Sequence, residues 1–193
     1  MGDLGTTLRT VFDSFISWLS ASTVNIFILL GIAVAAPTLL ALLGKELFGY
    51  HARMRREAKD IWRRIQKTAS DRDVFILLRA MEPFAFEELV VRSLRKHGYR
   101  AWHGSRYTGD GGIDGWVRFG HEKHPIQDKR YSGAINPHHV REFSRLCCSR
   151  GVTGLFIHTG MTGNASRDAA VNVRIISGRL LLDLVRKDCP FEL

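Results

Sequence analysis

The sequence of 193 residues has few of the features that define several protein classes. It contains three cysteines, of which Cys147 and Cys148 are adjacent, and this pattern indicates reduced thiols rather than a disulfide-stapled scaffold. It has no repeating period, which excludes collagen and coiled-coil classes. It has no P-loop, so we expect no nucleotide cofactor. Its 45% content of hydrophobic residues excludes a disordered chain, and its length suits one globular domain with an extension.

Charge is missing from residues 14–44, and residues 24–43 within this stretch are almost wholly apolar. Because a helix of about 20 residues spans the hydrocarbon core of a bilayer, we predict a transmembrane helix over 23–45. A signal peptide cleaved after Ala33-Val34-Ala35 is the alternative, which the lack of a basic leader and the continuing apolar run disfavour. Residues 1–22 have apolar residues at helical spacing, which predicts an amphipathic segment at the membrane surface.

Positive charge is concentrated directly after the apolar stretch. Residues 51–70 contain seven Lys and Arg and two acids, whereas residues 1–50 contain two and three, in a chain with a net charge of +9. By the positive-inside rule, we expect a single-pass protein of a bacterial inner membrane with its C-terminal part in the cytoplasm. Residues 46–81 are predicted to form a basic helical stalk. Its cations either contact lipid headgroups or DNA, or only fix the topology.

Residues 82–193 have the pattern of one α/β domain. Helices are predicted over 83–97, 137–150, 164–171 and 179–185, with a short helix over 74–81 before the domain. Strands are predicted over 99–103, 113–119, 125–131, 154–158 and 173–176. This order predicts a mixed central sheet flanked by helices, in which an antiparallel hairpin edge is joined to crossover strands.

Three side chains of the predicted hairpin suit metal-assisted hydrolysis of a phosphodiester. Gln127 and Lys129 project from one face of their strand, and a tight turn would bring Asp114 opposite them. Carboxylate and amide oxygens bind a hard cation such as Mg²⁺, while a lysine orients water or neutralises developing charge. The spacing alone is a weak signal, because an acid at a turn exit and a lysine on a strand are ordinary.

A series of motifs in fixed order makes the domain recognisable. The series comprises Phe86–Val90, Gly98-Tyr99, Gly109–Asp114 and Gln127–Tyr131, followed by a glycine-rich strand and a small-residue helix within 151–181. In this order the motifs resemble the catalytic domain of the Mrr-like restriction endonucleases, a branch of the PD-(D/E)xK nuclease superfamily. The resemblance covers about residues 82–186 and implies a restriction-endonuclease-like fold.

The resemblance also implies a role for each matching residue. Asp114 matches the metal-binding aspartate and Lys129 the catalytic lysine. Gln127 stands where most of the superfamily has an acidic metal ligand, and glutamine at this position is typical of the Mrr branch. Glu87 matches a glutamate that completes the metal site in related nucleases such as archaeal Holliday-junction resolvases; otherwise it is a first-turn acid favoured by the helix dipole. The implied cofactor is Mg²⁺ or Mn²⁺. Asp110 is expected to be a turn residue.

DNA is the substrate that the resemblance implies. Candidate phosphate contacts follow the lysine at Arg130, Tyr131, His138 and Arg141, for which a solvated surface is the alternative. Nucleases of this kind commonly pair to cut both strands, so a homodimer is possible, although the sequence shows no evident interface. The four tryptophans are scattered, which predicts no stacking platform for bases.

Taken together, these patterns predict a membrane-anchored, metal-dependent endodeoxyribonuclease that contacts both DNA and the lipid bilayer. One alternative is a catalytically inactive, membrane-tethered DNA-binding or conjugation-accessory protein. Another is a domain that only mediates protein contacts at the membrane. No separate DNA-reading domain is recognisable, so no sequence or methylation specificity is predicted.

Overall fold

The computed structural model describes residues 4–104 and 112–193, except for the side chains of 4–6, 19, 21–26, 29, 42, 43, 46 and 47. Most of the predicted glycine-rich turn, Gly109–Gly111 with Asp110, lies outside the described residues. The chain divides into two compact units, Met1–Tyr50 and His51–Leu193.

The first unit consists, as far as it is described, of helix α1 (Leu4–Ile65), which continues into the second unit. Many large apolar side chains of this unit are exposed, among them Leu8, Phe12, Phe27, Leu40 and Phe48. The predicted transmembrane helix is nevertheless not supported, since no helix within the described residues is long and apolar enough to cross a membrane. The side chains of residues 23–26, 29, 42 and 43 within the predicted span 23–45 lie outside the described part of the chain.

The end of α1 packs into the second unit. Met54, Ala58 and Ile65 are buried there, and the Glu57 carboxylate accepts a hydrogen bond from the Glu82 backbone N–H at 3.0 Å. Directly after the helix, the Gln66 side chain donates to the Val185 carbonyl at 2.9 Å. The C-terminal turns of α1 are therefore part of the core of this unit.

Five further helices complete the second unit: α2 (Asp71–Ala80), α3 (Pro83–Lys96), α4 (Pro137–Ser149), α5 (Asn164–Asp168) and α6 (Gly178–Val185). Their starts follow from local sequence. The Ser70 hydroxyl caps α2, and the Asn136 side chain caps α4, where Pro137 occupies the first turn. Helix α5 ends at Asp168, three residues earlier than predicted, and the chain turns before β5 at Asn172, which has a positive φ of 53°.

The sheet contains five strands in the order β1 (Arg100–His103), β2 (Gly115–Phe119), β3 (Glu122–Lys129), β4 (Gly154–His158) and β5 (Val173–Ile176). The first three are antiparallel neighbours, whereas β4 pairs parallel with both β3 and β5. A parallel neighbour needs a crossover, which α4 supplies between β3 and β4. The predicted mixed sheet with a hairpin edge is thus confirmed.

The two faces of the sheet are covered differently. Helix α3 packs on β1, β2 and β3 through its buried residues, which include Leu89, Val90 and Val91. On the other face, Phe143 and Cys147 of α4 form a core with Phe156 of β4. The carboxyl end of β3 therefore lies between α3 on one face and α4 on the other.

Candidate active site

Asp114 is fixed by the backbone on both of its sides. Its N–H donates to the Ile126 carbonyl at 2.9 Å, and its own carbonyl accepts from the Gly104 N–H at 3.1 Å. Its side-chain Oδ2 accepts a hydrogen bond from the Asp128 backbone N–H at 2.7 Å. Such a short bond to a carboxylate orients the group strongly, so the Asp114 carboxyl is held against the end of β3.

Gln127 is buried with 8% of its surface exposed, and its Oε1 has no hydrogen-bond partner among the described residues. Gly112 lies against this side chain with a φ of +86°, and a Cβ at this position would overlap Gln127 Nε2. Glycine is therefore required here for two reasons, the left-handed backbone and the close approach of the amide. A buried acceptor without a partner is unfavourable unless a ligand satisfies it.

Lys129 ends β3 opposite His158 of β4. It lines a cavity of about 310 Å³ together with Glu87 of α3 and with Pro83, Phe86, Asp128, Arg130, Tyr131 and His139. The structure thus brings Glu87 and Lys129 to one opening, while Asp114 and Gln127 are not among the residues that line it.

Electrostatic interactions connect Glu87, Asp114 and Lys129, although Asp114 does not line the cavity. Burial raises the pKa of Glu87 to about 8, and the carboxylates of Asp114, Glu82 and Glu88 add to this rise while the Lys129 ammonium opposes it. Burial likewise raises the pKa of Asp114 to about 6, opposed by the hydrogen bond from Asp128 and by Lys129. These acids and the lysine therefore form one coupled charge cluster.

Asp128 is a third acid in this cluster. Burial raises its pKa well above the ordinary value, and the negative charges of Asp114 and Glu87 raise it further. Its Oδ1 is buried without a hydrogen-bond partner among the described residues. Asp128 was not predicted as a site residue, because strand alternation places it on the face opposite to Gln127 and Lys129.

The predicted phosphate contacts divide into two groups. Arg130 donates to the backbone carbonyls of Arg79 and Met81, so its guanidinium is engaged within the protein. The Tyr131 hydroxyl forms a 2.5 Å hydrogen bond with His139 Nδ1. By contrast, His138 and Arg141 are exposed on α4, and His138 pairs with Glu142 at 3.3 Å.

His139 lines the cavity, whereas the neighbouring His138 is the candidate contact predicted from the sequence. The helical position decides the difference, because His139 is half-buried and faces the cavity beside Lys129 whereas His138 is exposed. The amphipathic pattern of α4 indicates this difference between the two histidines, because Val140, which directly follows His139, is fully buried.

No metal centre is evident from side-chain clustering. Among residues 4–104 and 112–193, no three His, Cys, Asp or Glu side chains lie close enough to hold an ion. The predicted ligands are two acids, Glu87 and Asp114, and the amide of Gln127, so they do not form a cluster of three such side chains.

The fold and this constellation fit one class of protein. A five-stranded mixed sheet between helices, with acids, an amide and a lysine around the end of the hairpin, is the arrangement expected of a restriction-endonuclease-like nuclease domain. A family model described as Mrr_cat, restriction endonuclease, matches residues 78–185, more than half of the chain. The chain belongs to this family, which confirms the resemblance to Mrr-like catalytic domains. No curated protein and no solved structure matches.

Proposed function

We propose that this chain is a metal-dependent endodeoxyribonuclease in which Asp114, Gln127, Glu87 and Lys129 form the active site. A nuclease domain of this family implies DNA as the substrate. The observation that carries the proposal is the geometry at the end of β3, where Glu87 and Lys129 line one cavity and the Asp114 carboxylate accepts a 2.7 Å hydrogen bond from the Asp128 N–H. Perturbed acids beside a cavity are typical of functional sites.

The donor set fits a hard divalent cation. The buried oxygen Gln127 Oε1 has no hydrogen-bond partner within the described part of the chain, and oxygen is the ligand that Mg²⁺ prefers. Burial is the main reason why the pKa values of Glu87 and Asp114 are raised, to about 8 and about 6, and a nearby cation would favour the ionised form of both acids. A cation held by Glu87, Asp114 and Gln127 would have this effect.

Each residue then has a defined task. When bound, Mg²⁺ or Mn²⁺ supplies Lewis acidity toward a phosphate oxygen and makes water a better nucleophile. The Lys129 ammonium donates hydrogen bonds to the attacking water or to the phosphate, and neutralises charge as the bond to the leaving oxygen breaks. The Asp128 N–H keeps the Asp114 carboxyl in one orientation.

Plasmid nicking by the full-length chain tests the proposal. We expect nicking with Mg²⁺ or Mn²⁺, no nicking with a chelator, and loss of activity in Asp114→Ala and Lys129→Ala. Asp188→Ala and Lys187→Ala are the matched controls, because both residues are exposed and lie outside the cluster. Equal nicking by the cluster variants and the controls would refute this site.

A second function, DNA binding without cleavage, is favoured by one observation. Among the described residues, no group of three His, Cys, Asp or Glu side chains is arranged so that it could hold a metal ion. In that case the same assay would show salt-sensitive DNA binding by the parent chain without any nicking.

The bacterial inner-membrane location, the lipid contact and the pairing of two copies stay predictions. Flotation with vesicles tests the lipid contact of the full-length chain, and sedimentation velocity tests its oligomeric state. Binding to vesicles would support the lipid contact and the membrane location, and a chain that remains in the soluble fraction would contradict them. A dimer mass would support the pairing of two copies, and a monomer mass would contradict it.

A further inference from the structure

The face of the β1–β2 ribbon that points away from α3 is partly open. Along β2, residues alternate between buried and half-buried: Gly115 and Val117 are buried beneath α3, whereas Trp116 and Arg118 are half-buried on the other side. On that side α4 packs on β4 and β5, at the far end of the sheet. The ribbon therefore presents side chains of its outer face to solvent.

Two tryptophans lie side by side on this open face. Trp102 of β1 is directly opposite Trp116 of β2 in the antiparallel register. Directly opposed residues project to the same face with Cβ atoms about 5 Å apart, so the two indoles are neighbours. The four tryptophans are scattered in sequence, and the strand register brings these two to one face of the sheet.

Cations surround the tryptophan pair. The Lys123 ammonium lies 5.9 Å from the Trp102 ring centre, and the Arg150 guanidinium lies 5.6 Å from that of Trp116. The register also places Arg100 opposite Arg118, and Arg118 opposite Lys123, on the same face. None of these four cations has a carboxylate partner within the described residues.

Two adjoining cavities lie on this face. One of about 600 Å³ is lined by Trp102, Arg118 and Lys123 with Arg95, Arg100 and Ala101, and another of about 350 Å³ by Trp102, His103, Trp116 and Lys123. In the larger cavity, Arg118 Nε is buried without a hydrogen-bond partner among the described residues. The face thus combines indole rings with unpaired donors and open volume.

We infer that this surface, defined by Arg100, Trp102, Trp116, Arg118, Lys123 and Arg150 and here called the tryptophan face, binds single-stranded nucleic acid. Unpaired bases stack on aromatic rings, while the neighbouring cations neutralise the phosphates between them. In duplex DNA the base faces are occupied by stacking within the helix. The indole pair therefore selects strands with unpaired bases.

A second copy of this chain fits the surface less well, because two tryptophan faces would bring like charges together without acids between them. An anionic lipid surface would match the charge. However, Asp114 lies two residues before Trp116, about 7 Å away along the strand direction, so the surface is continuous with the candidate active site. This continuity with the candidate active site favours a polymer that reaches both places.

The inference names the form of the substrate and rests in that respect on the proposed function, whereas the binding itself does not depend on cleavage. The experiment is fluorescence anisotropy with the full-length chain in a chelator, with labelled oligothymidylate and a labelled duplex as probes. We expect tighter binding of the single strand. The double variant Trp102→Ala/Trp116→Ala should weaken single-strand binding at least tenfold, since each stacked base contributes about 1–3 kcal/mol.

Matched variants separate stacking from loss of fold. Trp62→Ala is the control, because Trp62 is also half-buried and also lies near two cations, Arg92 at 5.4 Å and Lys96 at 5.8 Å. Trp102→Phe/Trp116→Phe keeps two aromatic rings and should retain most of the affinity. Arg118→Gln/Lys123→Gln should reduce the salt slope by about 1.4, against no change for Arg145→Gln/Lys187→Gln at exposed positions elsewhere.

Several results would overturn the inference. One is equal single-strand affinity of the double tryptophan variant and Trp62→Ala. Another is a duplex affinity of the double variant that falls as much as its single-strand affinity. A third is a double variant that loses only vesicle binding or only dimer formation. The two proposals also fail separately. If the parent chain nicks no DNA but the double tryptophan variant loses single-strand binding, the nuclease proposal is refuted and the inference about the tryptophan face stands.

Discussion

The two ends of the β2–β3 hairpin carry different ionisable groups, basic near the turn and acidic at the other end. Near the turn, Arg118 stands opposite Lys123 and both face open volume, whereas at the other end Asp114 and Asp128 are joined by a 2.7 Å hydrogen bond and couple to Glu87. The acids are buried and their pKa values are raised. One end is thus suited to phosphates, and the other to a cation that acts on phosphates.

The difference teaches that charge alone does not define the site in this basic chain. The formal net charge of +9 would suggest phosphate contacts everywhere on the surface. Burial distinguishes the two ends, because an acid removed from water retains its charge only with a partner. The acidic end therefore needs an additional cation, and the basic end needs an anion.

Asp114→Asn is expected to have the largest effect. The amide keeps an oxygen that accepts the Asp128 N–H but lacks the negative charge, so we expect at least about a hundredfold loss of nicking, more than the roughly 10–100-fold loss typical of residues that only support a metal ligand. The free energy of unfolding should stay equal or rise, because a buried charge is removed. Plasmid nicking and urea unfolding, with Asp188→Asn as control, measure both.

Gly112→Ala should have the next largest effect, and Gly98→Ala is its matched control. Both residues have a φ near +87°, so both alanines should lose about 1–2 kcal/mol of stability. Only the Gly112 variant would also displace the Gln127 amide, since nothing lies within 4 Å of a Cβ at Gly98. We therefore expect nicking to fall in Gly112→Ala alone, and equal activity in the two variants would contradict the role of Gln127.

Arg130→Gln should affect stability more than DNA binding. Its guanidinium donates to the carbonyls of Arg79 and Met81, so its removal leaves two acceptors unpaired and should lower the free energy of unfolding by about 1–3 kcal/mol. Arg141→Gln, at an exposed position, should leave stability unchanged. Normal unfolding of Arg130→Gln together with weaker DNA binding would instead make Arg130 a phosphate contact.

The last prediction concerns the pH dependence of the metal-free protein. The pKa of Glu87 is about 8 in the folded state against an ordinary value of 4.5, so between these values the folded state binds more protons than the unfolded state. Stability should therefore fall as pH rises through this window. The free energy of unfolding, measured with urea at several pH values in this window, should fall less steeply with pH for Glu87→Gln than for the parent. An equal pH dependence of parent and variant would contradict the buried environment of Glu87.

Local sequence predicted most of the fold. Helix α3 begins at Pro83 and β4 is an uninterrupted apolar run, and such signals act within a few residues. The strand β3 begins at Glu122, three residues earlier than predicted, because the turn is shorter and uses the positive φ of Gly120. The packing of Met54 and Ala58 into the second unit could not be predicted, since it depends on contacts distant in sequence.

The site was predicted in part, for the same reason. Spacing and family motifs select Asp114, Gln127 and Lys129, but the burial of Asp128 depends on how α3 covers the hairpin. The pairing of Trp102 with Trp116 depends on the strand register, which the sequence between them does not reveal. Residues that act through tertiary contacts were therefore the ones missed.

The most direct test of the account is calorimetric titration of Mn²⁺ into the metal-free, full-length chain. If the acidic end of the hairpin is a divalent-metal site, the parent and Asp188→Asn will each bind one ion per chain, and Asp114→Asn will bind none. Absence of binding by the parent, or equal binding by Asp114→Asn, would contradict it.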